Sequence, residues 1–333
     1  MIQYPTAING WQIAAIRALF ATAFSLAIIQ VPWADLQGYD FVDRANYLNY
    51  FLYDTNILEY RDFGSIVDYI KNEALWHYLV PMLSQTLDLS IEDIFDLISF
   101  FALFTFSFYF LARSRLIYLP LLINPLLVTL SFDQLRIALA FSIVLLVYIT
   151  GRKALFVVAL FASGFIHTAA YLLAGIALGL YSLERFRPIE HSNKWLFIAT
   201  LLALGFLVSF GLGIALSDIL TMLDDRRAGL YSGNEASGIK FTVFWTGLLC
   251  LFSLQKKQFF ANMEHNYAFV VLAVATFNLF TGGYTSRLLA LSLPMVIVSM
   301  LALRTPLNHI ATILYTLYLS LQWIYWLPLQ VLY

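Results

Sequence analysis

The amino-acid sequence predicts an all-α, polytopic membrane protein. Three observations predict it: an apolar composition, apolar runs of spanning length, and basic residues gathered in alternate connecting loops. Of 333 residues, 61% are hydrophobic and 12% are charged, and the mean hydropathy is +0.78. A water-soluble domain needs far more polar surface, so most side chains must meet lipid or other helices. A formal net charge of −1 argues against binding nucleic acid or acidic polymers through bulk electrostatics. Cys250, the single cysteine, lies in an apolar run, which leaves no disulfide framework and no thiolate metal site. The first apolar run is long enough to span and no clear small-residue cleavage site follows it, so insertion rather than secretion is expected.

A spanning helix needs about 20 apolar residues, and fewer where neighbours shield its ends. The apolar runs are 11–31, 94–112, 116–132, 136–150, 154–167, 168–183, 195–216, 239–254, 267–283, 286–303 and 308–327. They predict about 11 transmembrane helices in one integral membrane domain, 1–333. The stretch from Ala154 to Leu183 is long for one span and short for two. Charge decides between them, because basic residues collect on the cytoplasmic side of short loops. With the N-terminus inside, the inner loops carry Arg113 and Arg115, then Arg152 and Lys153, then Arg185, Arg187 and Lys194. Lys256 with Lys257, and then Arg304, continue the series, and Arg17 can snorkel to the same face. A single span over 154–183 would turn every later cluster outward. Two short helices meeting near His167 are therefore expected.

The same topology leaves 32–93 outside as a long first loop. FVDRANYLNYFLY and SIVDYIKNEALWHYLVPML alternate apolar and polar residues in the manner of amphipathic helices that lie in, or dip into, the membrane interface. Pro81 is expected to bend or break the second of them. The other outer loop of note is 217–238, whose three glycines and polar tail predict mobility.

Several basic residues fall on the outer face against the general rule. Arg44, Arg61 and Lys71 fit a solvated helix face, and Lys240 can snorkel. Arg136 and Arg287 head apolar spans, and Arg226 and Arg227 occupy the 217–238 loop. An arginine at a membrane edge is expensive to desolvate and marks a partner or a pathway. For Arg136 the plain alternative is a local ion pair with Asp133, three positions earlier. His167, in GFIHTAA, sits at the junction of two short apolar helices on that face; a hydrogen-bonded packing role is its plain alternative. His77 falls on the amphipathic outer helix, whereas His191, His265 and His309 fall on the cytoplasmic side.

A guanidinium binds phosphate through two parallel hydrogen bonds and stays charged. An imidazole near neutral pH can take a proton from a hydroxyl. Together they suit transfer of a sugar carried on a polyprenyl pyrophosphate, where arginines steady the departing pyrophosphate and a base activates the acceptor.

The stretches GYDFVDRANY, ALW, DQLRIALAFSIVL, GRKALFVVALFASGFIHTAAYLL and TSRLLALSLP resemble the EpsG-like branch of Wzy-type O-antigen and capsular polysaccharide polymerases. The resemblance covers most of 35–300. It implies a GT-C-like helical fold in a bacterial inner membrane, with its site facing the periplasm. The implied activity is inverting glycosyl transfer between undecaprenyl-pyrophosphate-linked oligosaccharides, independent of metal and cofactor. It also admits a chain-length regulator as protein partner. Carried across, Arg136 and Arg287 would bind pyrophosphate and His167 would act as base or orient the acceptor. Arg226, Arg227 and Tyr231 match more loosely, as an arginine-rich outer loop with a tyrosine nearby. Asp40, Asp43 and Glu73 are possible acceptor or sugar contacts, although Glu73 stands farther from the tryptophan of ALW than the family pattern leads one to expect.

Three alternatives stay open at this point. A metal-dependent glycosyltransferase would use Asp40 and Asp43, whose spacing places them on one face of a helix. A transporter of the same lipid-linked glycan would carry polar groups through the bilayer midplane. A scaffold protein would give the outer arginines no role.

Overall fold

The computed structural model describes residues 11–53, 64–186, 189, 193–215, 218, 221–222, 238–282 and 285–327. Among these the chain is all helical, with no strand, and it is a helical membrane protein. It divides into two compact units, 1–170 with 324–333, and 171–323.

The first unit begins with α1 (Trp11–Ile29), which leaves Trp11, Ile16 and Leu19 exposed and buries only Ala21, Ser25 and Ile28, as a lipid-facing helix must. The short α2 (Trp33–Gln37) and α3 (Val42–Tyr53) follow. The second amphipathic stretch is two helices, not one: α4 (Ile66–Lys71) and α5 (Ala74–Leu87), separated at Asn72 and Glu73. Pro81, the expected breaking point, lies inside continuous α5. The helix α6 (Ile91–Arg113) starts where Ser90 and Asp93 cap each other reciprocally, Ser90 Oγ accepting from Asp93 N at 3.1 Å. It packs against α1 and against α8 (Leu135–Ile149).

The apolar run 116–132, expected to span as one helix, is a 3₁₀ segment (Leu116–Leu122) followed by α7 (Pro125–Phe132). Asn124 caps α7 through Leu126 N at 2.8 Å, and Pro125 at its first position cannot extend a preceding helix. At Asp133 and Gln134 the path turns by 102° into α8. Then α9 (Lys153–Ser163), in this unit, and α10 (Ala170–Phe186), which carries the chain into the second, realise the expected pair of short helices on either side of His167. The core of this unit is Trp76, Val80, Ile94, Phe95, Ile98, Leu135 and Leu139, with Ile166 and Ala170 added by the α9–α10 junction.

The second unit is built around α13 (Met263–Thr281), buried along most of its length. Against it lie α11 (Lys194–Phe210), extended by a π turn (Gly211–Ala215), α12 (Ile239–Ser253) and α14 (Thr285–Leu301); α15 (Leu307–Trp326) follows. Gly205, Ser209 and Gly213 recur every fourth residue, the small-residue spacing that lets membrane helices approach closely. A Cβ at Gly205 would stand 2.5 Å from that of Ala273, and one at Gly213 would collide with the Thr281 carbonyl. Ser209 Oγ and Thr281 Oγ1 share a hydrogen bond of 2.7 Å between those two contacts.

By length and apolarity alone, Trp11–Ile29, Ile91–Arg113 and Lys194–Ile214 each suffice to cross a membrane, and the bent α7–α8 pair makes a fourth. The apolar helices Lys153–Ser163, Ile239–Ser253 and Thr285–Leu301 are shorter.

Candidate functional site

The break between α4 and α5 makes the site. Ser65 caps α4 in a box with Asp68, and the helix ends at Asn72. Glu73 then adopts the left-handed conformation (φ 53°, ψ 47°), costly for a residue with a Cβ and concentrated at functional positions. It occupies the cap position of α5 yet makes no capping hydrogen bond with its side chain. One of the open N–H groups of α5, that of Leu75, donates instead to the Phe165 carbonyl at 3.0 Å. That bond ties the start of α5 to the turn that carries His167.

The Glu73 carboxylate, with 3% of its side chain exposed, is the hub. Its Oε2 receives Arg136 Nη1 in an ion pair spanning 63 positions of sequence. Its Oε1 lies 2.5 Å from His167 Nδ1, and accepts from Thr168 N at 3.3 Å and Thr168 Oγ1 at 3.4 Å. Arg136 sits in the first turn of α8, immediately past the 102° turn, and its guanidinium rests over the Tyr47 ring at 4.7 Å. Tyr47 meets Trp76 edge-on at 5.6 Å, and Trp76 stacks on Phe95 at 6.1 Å. Burial pushes the Tyr47 hydroxyl pKa up, and the Arg136 charge opposes that rise. Its phenol therefore stays protonated at neutral pH.

An ionised carboxylate only accepts hydrogen bonds, so the contact assigns the imidazole proton to Nδ1 and makes Nε2 the basic nitrogen of the neutral ring. A carboxylate that fixes tautomer and orientation in this way is the working part of acid–histidine pairs in hydrolases. A guanidinium carries five N–H donors in a rigid planar fork. The side chains of Arg136 and His167 are 21% and 14% exposed against 3% for Glu73. The acid is the anchor, the most deeply buried of the three.

The sequence candidates thus separate. Arg136, His167 and Glu73 come together, although Glu73 stands three positions before the tryptophan of ALW. Arg136 pairs with Glu73 across 63 positions, so a local pair with Asp133 is not its whole explanation. Asp133 Oδ1 accepts from the backbone N–H of Asp43 at 2.7 Å and of Arg44 at 3.4 Å, closing the start of α3. Asp40 is exposed and precedes α3, whereas Asp43 lies in its first turn, so they do not form the shared helical face expected of a ligand pair. Arg287 is half-buried at the head of α14 in the second unit. Arg226, Arg227 and Tyr231 lie outside the described residues. His77, expected on an interfacial face, is buried and packed on Tyr50 at 4.9 Å.

Thr168 is a member absent from the sequence candidates, whereas Tyr47, one of the aromatics open to sugar stacking or to packing, joins the site through the Arg136 guanidinium. Thr168 follows the histidine directly, and a hydroxyl beside a lone apolar-flanked imidazole is a signal that could have found it. Among the described residues, no group of three or more His, Cys, Asp or Glu side chains is arranged to hold a metal ion. Comparison with protein-family models, with curated proteins and with solved structures gives no match to this chain.

Proposed function

We propose that this protein polymerises undecaprenyl-pyrophosphate-linked oligosaccharide repeat units at the periplasmic face of a bacterial inner membrane. In this reading the chain crosses the bilayer about 11 times in a GT-C-like arrangement, with 32–93 as a periplasmic segment. The observation that carries it is the Glu73 hub, which holds a guanidinium and an imidazole of defined tautomer side by side.

His167 Nε2 takes the proton from an acceptor sugar hydroxyl as its oxygen attacks the anomeric carbon of the donor. The bond from that carbon to the pyrophosphate oxygen breaks, and the electron pair leaves on the pyrophosphate with inversion at carbon. Arg136 steadies the charge that develops there, a contact worth roughly 3–4 kcal/mol of barrier. Glu73 holds both groups and stabilises the imidazolium until its proton returns to solvent. The same assay on lysine variants of Arg226, Arg227 and Arg287 measures what those guanidiniums add.

The test is incubation of purified protein with lipid-linked repeat units and no energy source. Chain extension is the expected result, and its absence from folded preparations contradicts the reading. A buried carboxylate beside a histidine is also the composition of a proton relay in transporters. That second reading predicts movement of the lipid-linked glycan across vesicles with no extension.

A further inference from the structure

A cavity lies in the first unit, apart from the Glu73 hub. It has a volume of about 220 Å³ and opens between the end of α1, the α2–α3 segment, α6 and the end of α7. Its walls are of two kinds. Trp33, Phe41 and Phe132 supply aromatic surface, and Asp35, Arg44 and Asp96 supply hydrogen-bonding groups.

The aromatic wall is held in place before anything binds. The Trp33 indole donates to the Ile28 carbonyl at 2.8 Å, and its ring meets Trp326 edge-on at 6.0 Å. Phe41 stacks on Phe132 at 5.9 Å with 17° between the planes. Trp33 and Phe132 are buried and Phe41 is half-buried, so Phe41 is the ring an occupant meets. Arg44 Nη2 bonds Asp96 Oδ1 at 2.7 Å, and the backbone of Arg44 is fixed by Asp133. Asp96 keeps 53% of its side chain exposed, and Asp35 is exposed as well.

This chemistry discriminates among occupants. Two carboxylates against one guanidinium give the cavity a net negative charge, which disfavours phosphate and pyrophosphate. An acyl chain would leave three charged groups facing hydrocarbon. A neutral sugar ring satisfies both walls: its C–H face lies on an aromatic ring, and its hydroxyls donate to carboxylates and accept from the guanidinium.

The position suits the reaction as well. Phe132 ends α7 and Arg136 lies in the first turn of α8, so three residues separate the cavity wall from the hub, and the Cα atoms of Phe132 and Arg136 are no more than about 14 Å apart. We propose that this cavity is a glycan subsite, holding a neutral sugar of the repeat unit while its reacting end lies at Arg136 and His167. The proposal rests on the polymerase reading and extends it from the leaving group to the sugar chain.

The experiment uses the full chain in detergent, in wild-type form and as Phe41→Ala and Asp35→Asn. Saturation-transfer NMR with methyl glycosides of glucose, galactose and N-acetylglucosamine reads sugar binding directly. Chain extension with lipid-linked repeat units reads use of the site. Saturation of ring C–H protons in the wild type, reduced at least fivefold in Phe41→Ala, is expected, together with a KM for repeat units raised at least fivefold in both variants at near-normal kcat. No saturation of any glycoside by the wild type overturns the subsite. Binding lost in Phe41→Ala with an unchanged KM assigns the cavity to some other glycan, such as a glycolipid headgroup, and overturns it too. A wild type that binds glycosides through Phe41 yet extends no chains counts against the polymerase reading and not against sugar binding.

Discussion

The two units spend their irregular backbone differently. In the first, three breaks in helical structure bring charged groups together: the left-handed Glu73 between α4 and α5, the 102° turn before Arg136, and the α9–α10 junction at His167. In the second, the centre is one continuous helix, α13, against which Gly205, Ser209 and Gly213 allow close approach. The contrast separates a region organised to hold charged groups together from one organised to pack. Buried irregular backbone needs polar partners of its own, and the first unit supplies them through the Glu73–Thr168 and Leu75–Phe165 bonds.

If that division is right, substitutions in the two units should fail in different ways. The largest effect is expected at Glu73. Replacing it with leucine strands Arg136 in a partly buried site, at a cost of roughly 3–5 kcal/mol in stability as well as loss of activity. Thermal unfolding in detergent checks this, and a variant as stable as the wild type would deny Glu73 its role as hub.

His167→Ala should leave the fold intact and lower chain extension by about 10²–10⁴-fold, the usual contribution of a general base. An initial-rate assay decides, and a normal rate would remove His167 from the reaction. Arg136→Lys keeps the charge but loses the planar fork, so a measurable fall in rate at unchanged stability is expected there too.

In the second unit the order of readouts reverses. Gly213→Ala forces a methyl into the Thr281 carbonyl and should cost roughly 1–3 kcal/mol of stability. The protein that remains folded should turn over normally. A specific activity that falls with unchanged melting would break the comparison.

The smallest effect concerns α4, which leads into Glu73. The Asp68 carboxyl is held below its ordinary pKa chiefly by the Ser65 hydroxyl, with Lys71 adding to the effect. Its capping contribution is therefore complete above the unfolded pKa and fades as pH falls through the lower folded value. Hydrogen exchange over 66–71 should quicken on acidification in that range, and Ser65→Ala should remove most of the dependence.

Much of this architecture is written locally in the sequence, and some of it is not. The Ser90–Asp93 box announces the start of α6, and the basic loops require two helices between Ala154 and Leu183. Pro120 and the pair Asn124–Pro125 were available as signs that 116–132 is broken, but an unbroken apolar run hides them from a reading by hydropathy. Glu73 was harder. Nothing in NEALW dictates a left-handed residue, and its partners lie 63 and 94 positions away. Tertiary contacts alone select that conformation. Arg136 and His167 could be singled out because each breaks a rule for apolar segments, whereas Glu73 sits among other polar residues and breaks none.

The central claim is that Glu73 and His167 act as one unit on the reacting sugar. Groups that act as a unit are non-additive. Initial rates of chain extension for the wild type, Glu73→Gln, His167→Ala and the double variant test this most directly. The account predicts that the double variant is no slower than His167→Ala alone. Losses that multiply would show that the two residues work independently, and would contradict it.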